Sequence, residues 1–303
     1  MTAIEHLNNI FDMTIIEFLN KTFDIKNDVS VPILISLIVF ITGGLSTIIF
    51  RSITKYFANL RLRNLFRIML EDIVSQCELK VKTTKKFYPT LTINHNGNWS
   101  FGFVTVAYIE TVFKLDISLI YNSFLPIFKY RCNKKIRLKA FNKVWSIIEN
   151  LRFTENRILN DFEKLNTQFN EHESKFNVYS EEFRKYNDNL FQAIIENRFT
   201  PEPGVQNDYV TKLDSIVANW QKIENRLTNT NKYEYLFKPI HELNKISQNV
   251  SLILPINNIV LPAMHEYHQM TKILSDNKGL FYNYYVNYRK SKRLLEKCLL
   301  LLK

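Results

Sequence analysis

Met264-His265-Glu266-Tyr267-His268 places two imidazoles three residues apart with a carboxylate between them. On a helix, residues at that spacing share one face, and helical bundles hold metals with such groups. His241-Glu242 falls on a nearby expected helix. The ligand set still falls short. A zincin helix needs H-E-x-x-H, and these histidines are one residue too close. Carboxylate-bridged centres need several inward Glu residues with Glu-x-x-His pairs, and the sequence has no such pair. His265 and His268 are therefore weak metal candidates, and the expectation is a chain without a metal or other cofactor.

Other chemistry is equally thin. Neither G-x-x-x-x-G-K-[ST] nor G-x-G-x-x-G occurs, and six glycines leave little to cradle a phosphate. A G-x-S-x-G elbow is also missing. Cys77, Cys132 and Cys298 are odd in number and far apart, without a C-x-x-C pair. They read as small packing residues kept reduced in the cytoplasm. The expectation is a protein that is not an enzyme.

The element that positions everything else is Val31 to Phe50, VPILISLIVFITGGLSTIIF. It carries no charge, and thirteen of its residues are Val, Ile, Leu or Phe. At about 1.5 Å per residue it reaches roughly 30 Å, the thickness of a bilayer's hydrocarbon core. Residues 29–50 are thus expected to form one transmembrane signal-anchor helix. A cleaved signal peptide fits less well, because it wants a basic n-region, a shorter apolar stretch and a small-x-small exit. Gly43, Gly44 and Ser46 give the span a small-residue patch where a second helix could approach closely, which makes self-association an option.

Residues before the span carry a net charge of −3. After it come Arg51, Lys55, Arg61, Arg63 and Arg67, with no acid until Glu71. Positive flanks stay on the cytoplasmic side. The expected topology is a short outer arm over residues 1–28 and a C-terminal part inside the cell. The whole chain is basic, at +11. Basic charge beside a span suits anionic lipid headgroups, and no zinc finger or RNP-like aromatic motif argues for nucleic acid. Abundant Asn, Lys, Ile, Phe and Tyr imply AT-rich codons, hence a bacterial source and its inner (plasma) membrane.

Residues 51–76 contain no Pro or Gly and read as a basic juxtamembrane helix. Over residues 77–130 the pattern changes. Glu78-Leu79-Lys80-Val81-Lys82, Thr90 to Ile93 and Trp99 to Phe103 alternate with period two. Around His95-Asn96-Gly97 they predict a hairpin, with Ile93 opposite Trp99 and Leu91 opposite Phe101. Residues 103–128 are apolar, but Glu110, Lys114 and Asp116 would cost roughly 2.5–3.5 kcal/mol each at a bilayer centre. The segment is expected to be a small α+β unit instead of a second span.

Residues 131–303 read as a helical bundle. From Phe141, steps of three and four residues reach Val144, Ile148, Leu151, Glu155, Ile158, Phe162, Leu165, Phe169, His172, Phe176, Tyr179, Phe183, Tyr186, Leu190 and Ala193. Only Glu155 and His172 interrupt an apolar seam, which predicts a long coiled-coil-type helix over 136–198. A polar seam residue commonly fixes register, and His172 could also respond to pH. Pro201-Glu202-Pro203-Gly204 ends that helix, and shorter helices are expected to fold back along it. Pro255 and Pro262 should interrupt the later stretch, and Lys278-Gly279 should mark a turn.

The fold class expected is mainly α: one transmembrane helix, a small α+β segment, and an elongated antiparallel helical bundle or coiled coil. Such a chain suits a non-enzymatic tether, adaptor or sensor/relay that binds a protein partner, itself unidentified by the sequence. The alternative is a toxin-like or defence effector that oligomerises through its span and permeabilises the membrane. Ser36, Thr42, Ser46 and Thr47 supply the hint for that alternative.

Overall fold

A computed structural model describes residues 27–93, 99–102, 106–124, 134–247 and 250–302. The protein is mainly helical. Helix α1 spans Asn27–Phe87 and is followed by a 3-10 turn, Tyr88–Thr90. Then come α2 (Tyr108–Lys114), α3 (Ile117–Ser123), α4 (Lys134–Ile195), α5 (Val205–Gln221) and α6 (Asn229–Lys232). A wide helical turn over Tyr233–Phe237 leads into α7 (Lys238–Ile246), and α8 (Ile253–Leu302) ends the chain. The expected outer arm lies outside the described residues, apart from Asn27 and Asp28, which already belong to α1.

Two compact units make up the chain, one drawn from Met1–Phe66 and Asp116–Lys134, the other from Arg67–Leu115 and Lys135–Lys303. In the first, every described side chain of α1 from Pro32 to Ala58 is exposed. Among the described residues, α1 is the one helix long and apolar enough to cross a membrane. Where Phe66 becomes fully buried, it meets Phe124 edge to face at 6.0 Å. Asp116 caps α3 by accepting from the backbone amides of Ser118 and Leu119 at 2.8 and 3.2 Å.

Three long helical stretches pack side by side in the second unit. The α1 residues Leu70, Ile73, Cys77, Lys80, Thr84 and Phe87 are buried. Their three-four spacing is one helical stripe. Phe87 packs on Phe162 of α4 and on Phe281 of α8, at 5.6 and 4.8 Å between ring centres. Lys80 contacts Glu155 and Phe87 contacts Phe162, so α1 and α4 run parallel. Glu78 pairs with Lys292 while Phe87 meets Phe281, so α8 runs antiparallel to both. Further along α4, Phe176 and Phe183 pack on Phe237, and Tyr233 stacks on Tyr267 of α8 at 4.0 Å.

The small α+β segment expected over 77–130 is not formed: among the described residues there is no strand. Glu78 to Lys82 continues α1, and at Leu79 and Lys80 burial is the reverse of an alternation that would turn its apolar residues inward. Leu79 is 48% exposed and Lys80 is 2% exposed. Pairing of the lysine with Glu155 makes its burial tolerable. Trp99 and Phe101 are core plugs, not ladder partners. The Trp99 indole donates to the Thr90 carbonyl at 3.1 Å and meets Phe169 edge to face, while Phe101 sits between Phe162 and Phe281. The His95-Asn96-Gly97 turn lies outside the described residues.

Helix α8 also departs from expectation, because it runs unbroken through Pro255, Pro262 and Gly279. Pro255 falls in the first turn, where the missing N–H costs nothing. Pro262 is interior and costs on the order of 3 kcal/mol. Ile256, Val260, Ala263, Tyr267, Met270, Leu274 and Phe281 form a continuous buried stripe that offsets this.

Candidate functional site

The two polar interruptions of the α4 seam are where helices exchange charge. All other seam positions from Phe141 to Ala193 are buried or half-buried. Glu155 stands between α1 and α8. Its Oε2 accepts from Lys80 Nζ at 3.0 Å, and its Oε1 accepts from the Tyr288 hydroxyl at 2.6 Å. Side-chain exposure is 2% for Lys80 and 11% for Glu155. Lys80 Nζ also lies 5.9 Å from the centre of the Tyr288 ring.

Burial governs the protonation equilibria here. It pulls the Lys80 ammonium below its ordinary range, opposed by the Glu155 carboxylate. Cys77, one turn away, has its thiol pushed up to about 12 by burial and then by the charge of Glu155. The Tyr288 phenol is driven upward for the same two reasons. Cys77 is therefore not a poised nucleophile, because a reactive thiol needs a lowered value and access. The cluster joins helices.

More polar contacts extend from this hub. The Tyr284 hydroxyl donates to Asp161, which also pairs with Arg157 at 3.3 Å. The Asn287 amide donates to Asn150 Oδ1 at 2.8 Å and to the Thr154 hydroxyl at 2.9 Å. Lys292 pairs with Glu78 at 3.2 Å. A cleft of about 250 Å³ opens between α2 and α4, with Glu155 among its lining residues.

The second interruption pairs across the same two helices. His172 Nδ1 lies 2.5 Å from Glu266 Oε2 of α8, with side-chain exposures of 24% and 13%. Glu266 is the carboxylate between His265 and His268, so it faces α4. His265 is exposed and lies beside Gln269, whereas the His268 ring is 3.2 Å from the Tyr233 hydroxyl. The structure therefore does not bring the three groups together. Among the described residues no group of three His, Cys, Asp or Glu side chains is placed to hold a metal.

In the first unit the span's hydroxyls are satisfied by their own helix. Thr42 donates to the Ile38 carbonyl at 2.7 Å, and Ser46 and Thr47 donate to that of Gly43 at 2.9 and 2.8 Å. At Gly43 and Gly44 an added Cβ would meet nothing within 4 Å. Arg51, Lys55 and Arg61 are exposed and Arg63 is half-buried. Arg67, in the second unit, pairs with Glu71 at 3.1 Å.

Sequence reasoning singled out Glu155 and His172 but missed Lys80, Tyr288 and Glu266 as their partners. One signal was available. A carboxylate on a buried seam requires a cation or hydroxyl on a facing helix, and Lys80 lies on a helical three-four stripe with Ile73, Cys77 and Phe87.

Compared with known proteins, the chain matches no family model, no curated protein and no solved structure.

Proposed function

We propose that this protein is a membrane-anchored, non-enzymatic tether or relay, built from one transmembrane helix and a helical bundle that engages a protein partner. One observation carries the reading. Every described side chain from Pro32 to Ala58 is exposed, including Phe40 at 78% and Phe50 at 72%. An apolar surface of that extent is far larger than soluble monomers ordinarily expose, and a bilayer would cover it. Along the span, all backbone groups can be satisfied within the helix, as lipid requires, and its hydroxyls bond their own carbonyls.

The charge difference across the span supports an outer N-terminus and a cytoplasmic bundle at a bacterial inner membrane. Arg51, Lys55, Arg61 and Arg63 would then contact anionic headgroups. The relay reading draws on Glu155 and His172, whose contacts tie α4 to its neighbours and set their register. Replacing Val31 to Phe50 by an unrelated apolar span should preserve membrane attachment and activity. Phe176→Asp should abolish activity by unfolding the bundle. A span swap that destroys activity while attachment and folding persist counts against a tether.

The open Gly43-Gly44 face favours a second reading, a membrane-permeabilising effector that assembles through its span. Gly43→Ile with Gly44→Ile would then block depolarisation on overexpression. Depolarisation that depends on these glycines would select the effector over the tether.

A further inference from the structure

The cleft between α2 and α4 is lined by side chains of both charges, Glu110 and Glu155 against Arg152. It lies wholly within the second unit and measures about 250 Å³, room for one small molecule. Its lining includes Glu155, held by Lys80 and Tyr288, with one hydrogen bond to each carboxylate oxygen. A carboxylate oxygen carries two lone pairs, so both oxygens retain acceptor capacity. This carboxylate cannot swing away, because its partners belong to two different helices.

One turn earlier on α4, Arg152 lines the same cleft. It spends two of the guanidinium's five N–H donors on Glu110, at 2.7 and 3.0 Å. Its guanidinium also sits over the Phe113 ring, 4.8 Å from the centre, which fixes its plane. The remaining donors suit a planar acid group. Three residues of helix separate Arg152 from Glu155 by about 4.5 Å along the axis. The lining therefore presents a cation and an anion side by side on one rigid helix. Asn156 adds an amide, while Ile109 and Leu159 supply an apolar wall.

Charge decides the ligand class. Glu110 balances Arg152, and Lys80 balances Glu155. A molecule with net charge would leave one sign uncompensated near a buried pair, at a desolvation cost. A molecule with no donors would waste the Glu155 oxygens. We infer that the cleft binds a small zwitterion with adjoining ammonium and carboxylate groups, an α-amino acid in form, with its ammonium on Glu155 and its carboxylate on Arg152. The wall of Ile109 and Leu159 would take an apolar side chain. Binding here would set α2 against α4 next to the hub that ties α1 and α8, and the inference stands whether the span anchors a tether or lines a pore.

The test uses the full-length protein in detergent micelles, with thermal unfolding measured in millimolar amounts of each common L-amino acid. At least one should raise the unfolding temperature by several degrees, as a ligand well above its dissociation constant does. Leu159→Trp, at a cleft-lining position that is 37% exposed, should fold normally and lose that shift. Arg152→Met should weaken the response at least tenfold in the concentration required. N-trimethylglycine, which cannot donate a hydrogen bond, should give no shift. Absence of a shift with every amino acid overturns the inference. So does a shift that survives Leu159→Trp, or an equal response to N-trimethylglycine.

Discussion

Helix α1 passes through two environments. From Pro32 to Ala58 every described side chain is exposed whatever its chemistry, so Phe40 and Arg51 are treated alike. From Arg67 to Phe87 the same helix is sorted: Leu70, Ile73, Cys77 and Phe87 are buried, and Ile68 and Leu79 are not. The first stretch is apolar all round and lacks a partner element of its own among the described residues. The second is amphipathic and has α4 and α8 to pack against. An all-round apolar helix needs a surrounding solvent of its own kind, whereas a striped one needs neighbours. The difference lies both in how many apolar residues each stretch carries and in how they are arranged.

The sharpest way to break this contrast is to put a charge in the buried half. Phe176 on α4 is fully buried against Phe237 and Tyr267. Phe176→Asp removes its packing and buries a carboxylate, so it should destabilise the second unit by about 4 kcal/mol or more. Lys175→Asp, on an exposed neighbour, should change stability little. Chemical denaturation of both variants checks this, and equal midpoints would contradict the packing described.

Next in size is the buried pair. Lys80→Met leaves Glu155 charged without its cation and should cost about 3–5 kcal/mol. Adding Glu155→Leu should recover part of that loss, because two apolar groups replace two buried charges. A double variant less stable than Lys80→Met alone would mean that the pair does not act as a unit. The exposed Glu110–Arg152 pair is the comparison, and Glu110→Ala should shift stability by no more than about 1 kcal/mol.

A smaller effect concerns alkali. Cys77, Tyr284 and Tyr288 have values raised by burial, so the folded chain holds their protons more tightly than the unfolded chain. Their contribution is complete below the ordinary thiol and phenol range. It is lost progressively above about pH 9 as the unfolded chain ionises first. Lys80 and Lys232 are shifted downward by burial and work in the opposite sense, but Tyr186, Tyr209, Tyr267 and Cys298 are raised as well and outweigh them. Stability should therefore fall from about pH 9 upward. Tyr288→Phe should flatten that fall relative to its own stability at neutral pH, and an unchanged slope would contradict the assignment.

The seam of α4 was legible in the sequence because sixteen positions keep one step rule, and only helical packing produces it. Glu155 and His172 stood out for the same reason. Their partners did not, because Lys80 and Glu266 sit in stretches that local pattern assigns elsewhere. Glu78-Leu79-Lys80-Val81-Lys82 alternates, and a five-residue window cannot tell a strand from a helix whose lysine points inward. Trp99 and Phe101 were read as hairpin partners of Ile93 and Leu91, because the tertiary contacts with Phe169, Phe162 and Phe281 that hold them without a ladder leave no local trace. The continuity of α8 through Pro262 was hidden likewise, since the packing that offsets the proline comes from distant residues.

The central claim is that the exposed apolar half of α1 lies in lipid while the exposed residues of its other half lie in water. Spin labels at Val39 and Leu79 test it directly, because the two side chains are 63% and 48% exposed on the same helix. With Cys132→Ser as background, the buried Cys77 and Cys298 should resist labelling. In liposomes, the label at position 39 should collide readily with dissolved oxygen and poorly with a polar nickel chelate. The label at position 79 should show the reverse. A label at position 39 that is open to the nickel chelate would contradict the account.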